Sequence, residues 1–129
     1  MNEHAEFRDA DTRAADLARD LPKQIARAQA LPGNTALADV DASGITDARA
    51  LAALPVTRKS DLVSAQQENP PLGGYASDLS AFTHVFQSPG PIYEPGRVDG
   101  DFFRLGRFLR ACGIGEGDVV QNCFGYHLT

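Results

Sequence analysis

Three prolines fall within nine residues at positions 88–96, Ser-Pro-Gly-Pro-Ile-Tyr-Glu-Pro-Gly. No other stretch limits the folding of this chain as much. Proline lacks a backbone N–H and its ring fixes φ, which excludes the stretch from a helix and from the middle of a sheet. It reads as an ordered or semi-ordered loop. The flanks then decide the fold class. Residues 82–87, Phe-Thr-His-Val-Phe-Gln, are aromatic and β-branched and predict a strand. Residues 99–112 predict a helix, with Phe102, Leu105, Leu109 and Cys112 as its apolar stripe. Asp99 and Asp101 stand at its N-terminal end and Arg110 near its C-terminal end, the charge order that suits a helix dipole. Gly113 provides the stop. Residues 118–124 predict a second strand. Strand, loop, helix, strand is a βαβ pattern and implies parallel neighbours in a covered sheet.

The first half of the chain reads as helices. Residues 10–30 are rich in Ala, Arg, Leu and Gln, all good helix formers. Leu17, Leu21, Ile25 and Ala28 recur at spacings of three and four on one face. Pro22 predicts either a kink or two shorter helices meeting there. Pro32, Gly33 and Asn34 form a stop signal. A short helix is expected over 35–40 and a loop over 41–44. Another helix is expected over 48–53, capped by Thr46 or Asp47. A last one starts near Thr57 and runs through Lys59, Leu62 and Val63. Residues 1–67 thus form a helical segment, 68–79 a linker rich in proline and glycine, and 80–129 the start of an α/β domain.

Composition narrows the function classes. The chain has 129 residues, 12 Lys+Arg against 17 Asp+Glu, and a formal charge of −5. That balance argues against nucleic acid, which is gripped by clustered basic side chains. No apolar run approaches the ~20 residues of a membrane span. The N-terminus has neither a basic start nor an apolar stretch, so a secretory signal is not expected. Two cysteines, Cys112 and Cys123, make no disulfide framework, and free thiols in the cytoplasm are the simpler reading. The chain also stops in an apolar-aromatic stretch directly after a predicted strand. A two-stranded parallel sheet would leave open edges and an uncovered face, so the N-terminal piece of a larger α/β protein, or a fragment that depends on a partner such as a further copy in a homo-oligomer, is expected.

Few residues offer chemistry. The 88–96 loop lies at a strand-to-helix turn, where backbone N–H groups can face an anion. Pro89, Pro91 and Pro95 remove three of those donors, and Glu94 adds negative charge. The loop therefore suits a polyphosphate poorly. His84, His127, Cys112 and Cys123 have no metal-finger spacing, and no metal site is expected. His84 reads as a strand histidine with a satisfied ring, and Cys112 as a small buried hydrophobe. Ser88 lacks the surroundings of a nucleophile elbow. Phe124, Gly125, Tyr126 and His127 lie at the end of a predicted parallel strand. Pocket walls are built there, so these four are candidate pocket residues beside an equal case for core packing.

These segments together resemble the phenylacetate–CoA ligase family of adenylate-forming enzymes. Residues 54–62, Leu-Pro-Val-Thr-Arg-Lys-Ser-Asp-Leu, are similar to that family's "LP-x-T-x-K-x-DL" stretch. Residues 113–122, Gly-Ile-Gly-Glu-Gly-Asp-Val-Val-Gln-Asn, are similar to its "G-x-x-x-GD-x-V-x-N" stretch, and Phe124, Gly125 and Tyr126 to the "YGYGL" segment after it. Where the family has the phosphate-binding loop "SSGTTGKP", this chain matches at Ser88, Gly90 and Pro95. Pro91 and Ile92 replace the two threonines, Tyr93 the second glycine and Glu94 the lysine. The resemblance implies a parent enzyme that activates an aryl or acyl carboxylic acid with ATP and Mg, then passes it to CoA. The family's later motifs and its mobile C-terminal domain with the catalytic lysine are not in this sequence. The chain alone is thus expected to be inactive, an incomplete piece of the adenylate-forming fold. The altered loop leaves two alternatives for the parent: ATP held by other parts, or adenylation lost. A non-catalytic ligand-binding or interaction module derived from a degenerate ligase is the competing expectation.

Overall fold

The computed structural model describes residues 7–123 and Gly125. The architecture mixes helices with a small two-stranded antiparallel sheet. The chain divides into two compact units, with the change between Ser77 and Asp78.

The first unit is helical. Helix α1 spans Ala10–Gln29. It begins where the Asp9 carboxylate accepts the Thr12 N–H at 2.7 Å, satisfying a donor that the first turn leaves without a partner. It runs uninterrupted through Pro22, so the expectation of two shorter helices is not met. Of its predicted apolar face, Ile25 is buried, Leu21 and Ala28 are half-buried, and Leu17 is exposed. After α1 the chain turns at Pro32 and Gly33 as expected. The Gln29 amide then holds two carbonyls further on, Leu37 O at 2.8 Å and Val40 O at 2.7 Å. Those bonds fix the 3-10 turn Thr35–Leu37 beneath α1, and a second such turn, Ala42–Gly44, also packs on it. Helix α2, Ala48–Ala52, is capped by Asp47, whose carboxylate accepts the Ala50 N–H at 2.7 Å. Helix α3 spans Asp61–Glu68. It starts four residues after Thr57, because the Asp61 carboxylate accepts the Arg58 N–H at 3.3 Å and holds residues 58–60 in a turn. Among the described residues, the buried large apolar side chains of this unit are Ile25, Ile45 and Leu72.

The second unit corrects the βαβ expectation. Strand β1, His84–Ser88, pairs with β2, Ile92–Gly96, in antiparallel register from His84 opposite Gly96 to Ser88 opposite Ile92. Three residues join the strands. Only a hairpin fits such a short connection, since parallel strands need a crossover of about a dozen residues or more. Six of the nine residues of the proline-rich loop, Ser88 and 92–96, are therefore strand. Pro89 and Pro91 sit in the turn, and Pro95 sits inside β2. Both strands of a two-stranded sheet are edge strands, so proline's missing N–H costs β2 little.

The helix after the hairpin is also shorter than expected. Helix α4 spans Leu105–Ala111. Gly100, Asp101 and Arg104 have φ of 68°, 52° and 61°, which keeps residues 100–104 out of a right-handed helix. Asp101 nevertheless caps α4 from four residues upstream, accepting the Gly106 N–H at 2.8 Å and the Arg107 N–H at 3.3 Å. Phe102 thus falls outside the helix. It meets Phe82 and Phe103 edge to face, at centroid separations of 6.2 and 5.1 Å. Cys112 follows the helix and is exposed, not a buried hydrophobe, and Leu105 is 55% exposed. Residues 118–123 are not a strand. The Asp118 carboxylate instead accepts the Gly115 N–H at 2.7 Å and closes a turn, and no strand among the described residues offers a ladder to residues 119–123.

Candidate functional site

The hairpin turn gathers the residues that the phosphate-loop resemblance singled out. Ser88 ends β1 and is buried, with its hydroxyl donating to the Ile92 carbonyl at 3.4 Å. Gly90, at the tip, has φ of 120°, and a Cβ built there would meet nothing within 4 Å. That backbone angle is one that glycine adopts at little cost, so the turn needs Gly90 for its conformation. Pro89 and Pro91 on either side contribute no N–H. Glu94 lies opposite Phe86 in the ladder and is exposed. By strand alternation it shares a sheet face with His84, Phe86, Ser88 and Ile92. Pro95 lies opposite Val85 on the other face and is half-buried. The turn presents an exposed glycine, two donor-free prolines and a carboxylate two residues into β2. Chemically it is a rigid connector with little to offer an anion.

The aromatic side of the hairpin is more closely packed. His84 stacks on Phe86 at a centroid distance of 6.1 Å with planes 9° apart. The His84 ring nitrogen Nδ1 lies 2.8 Å from the Thr83 hydroxyl, so the ring has the partner expected of a strand histidine. Phe86 in turn meets Phe103 edge to face at 5.8 Å. Gly96 permits this: a Cβ there would lie 2.6 Å from a Phe86 ring carbon and 3.3 Å from Phe103.

Among the described residues, no three His, Cys, Asp or Glu side chains converge on a point where a metal ion would sit. Cys112 and Cys123 are free and exposed. Of the candidate pocket residues, Phe124, Tyr126 and His127 lie outside the described residues, and Gly125 is exposed.

Two depressions escaped the sequence reading. One, of about 220 Å³, lies in the first unit against Gly33, Asn34, Pro55, Thr57, Asp61 and Tyr75. Pro55, Thr57 and Asp61 belong to the stretch that resembles the ligase family, so that stretch forms one wall of a polar pocket. The signal was present as two short polar side chains beside a helix start, but nothing in the sequence tied them to residues 33–37. The other, of about 370 Å³, lies beside Arg97, Asp99, Asp101, Phe102 and Arg104. There the Arg97 guanidinium grips Asp99 with two bonds of 2.9 and 2.7 Å. The pair holds the Asp99 carboxyl below its usual range, chiefly through the hydrogen bonds from Arg97.

No protein-family model, curated protein or solved structure matches this chain. Among the described residues, no helix is long and apolar enough to cross a membrane.

Proposed function

We propose that this chain is the N-terminal part of a phenylacetate–CoA ligase-like protein of the cytoplasm, and that it does not itself adenylate. The carrying observation is the order of three motif-like stretches, at 54–62, 113–122 and 124–126, around a counterpart of the phosphate loop. The parent takes a small carboxylic acid, ATP with Mg and CoA, and the chain is an incomplete piece of the adenylate-forming fold. One observation favours a second reading, a non-catalytic module that binds an acyl or aromatic ligand or a partner. Pro89, Pro91 and Glu94 withhold donors and place a carboxylate where phosphates would need an ammonium.

Acid-dependent ATP–pyrophosphate exchange tests the inactivity of the segment. The 129-residue chain, assayed with aryl and acyl acids, is expected to stay at the no-enzyme blank. Exchange above the blank that is lost on mutating Ser88 or Glu94 would overturn the proposal.

A further inference from the structure

Strand β1 has β2 on one side and, among the described residues, nothing on the other. Outside that pair, no backbone–backbone hydrogen bond among the described residues reaches residues 84–88. The two outer edges differ in kind. β2 carries Glu94 and Pro95, a charge and a missing donor of the sort that blunts an edge. β1, His-Val-Phe-Gln-Ser, has no proline and no Asp, Glu, Lys or Arg. Its Val85 is 61% exposed, and Tyr93, on the same sheet face, is 40% exposed.

We propose that the outer edge of β1 is an interaction surface and that its occupant is a second copy of this chain, paired β1 to β1 in antiparallel fashion about a twofold axis. An antiparallel strand pair related by a twofold is self-complementary, since each strand offers its partner the same alternation of N–H and C=O. Pairing β1 to β1 brings no carboxylate, ammonium or guanidinium groups of like sign together. Pairing β2 to β2 would bring two Glu94 carboxylates together and waste the Pro95 positions. Pairing β1 to β2 of another copy would be head-to-tail and open-ended, and the same Glu94 and Pro95 oppose it. Assembly therefore closes at two. The product is a four-stranded antiparallel sheet in the order β2, β1, β1, β2, above the three strands needed for independent stability. The inference concerns the 129-residue chain as it stands and does not rest on the ligase reading.

Light scattering on the purified chain over a wide concentration range tests it. The mass is expected to rise from 13.8 kDa toward twice that value as concentration increases. Val85→Lys places a like charge on each β1 beside the axis, and is expected to hold the mass at that of one chain. Val98→Lys makes the same change at a residue 77% exposed and outside the strands, and is expected to behave as wild type. Far-UV circular dichroism establishes that each variant is folded. Should Val85→Lys unfold, amide exchange in the wild type decides: slower exchange of residues 84–88 at high concentration supports the pairing. Exchange independent of concentration overturns it. A single-chain mass at every concentration, a dimer that folded Val85→Lys leaves intact, or assemblies growing beyond two copies would each overturn it as well.

Discussion

Gly33 is a point of close approach between two pieces of backbone in the first unit. Its N–H donates to the Gly74 carbonyl at 3.0 Å, and a Cβ added to Gly33 would lie 2.5 Å from the Gly73 oxygen and 2.9 Å from a Gly74 backbone carbon. Those obstacles are main chain and do not swing aside. Gly33→Ala should therefore cost about 1–3 kcal/mol, the usual range for overpacking. For a unit of this size, each kcal/mol lowers Tm by about 4–8 °C. A thermal melt unchanged by the substitution would mean the two backbones are not in contact. Glu94 is the residue on which the ligase reading depends most. In the longer parent, Glu94→Lys should tighten ATP binding several-fold if the turn faces phosphate. The change adds two units of positive charge, screened by water and salt at an exposed position. Pro89 and Pro91 still withhold their donors, so recovery stays partial. ATP titrations of parent and variant at low and moderate salt read this out. Equal affinities at both salts would detach the turn from the phosphate-loop comparison.

At the level of elements, carboxylates do much of the local work. Asp9, Asp41 and Asp78 each accept a main-chain N–H at the start of a helix or 3-10 turn. Asp9 is held below the ordinary carboxylate range by the Thr12 N–H first, and Asp41 and Asp78 by the hydroxyls of Ser43 and Ser80 first. On α1, hydrogen bonds from Arg8 to Asp16 and from Arg19 to Asp20 act in the same direction. A lowered folded value means these groups support the fold fully above the unfolded value of 3.8. That support is lost as pH falls from there through the lower folded values. Tm should hold between pH 7 and 5 and then fall as pH drops toward 3 and below. A melt as high at pH 3 as at pH 5 would contradict the capping roles.

The same elements mark what the sequence makes legible. Helix α1, its burial at Ile25 and the Asp47 cap follow from periodicity and from short side chains at helix starts, which are local effects. The hairpin did not follow, because proline excludes a central strand but not an edge strand, and no local pattern shows that β2 has only one neighbour. The late start of α4 was equally hidden. It depends on left-handed backbone at Asp101 and Arg104, which is uncommon for any residue but glycine and which nothing in the sequence signals at Arg104. The pocket beside Thr57 and Asp61 needs residues 33–37 and Tyr75 brought to it, and no spacing in the sequence encodes that approach.

On the scale of the whole molecule, little apolar surface is buried in the second unit. Ile92 is its one buried hydrophobic residue among those described, while Phe102, Phe103, Leu105 and Phe108 are 41–61% exposed. A hairpin and one short helix supply too few faces to enclose those side chains, which agrees with a unit that is completed by further chain or by a second copy. The ligase reading makes the first of these its central claim for the parent. Its most direct test is the coding sequence read in frame past Thr129. The account predicts continuation into ribose- and adenine-binding motifs and a C-terminal domain with a catalytic lysine. A reading frame that closes without them would contradict it.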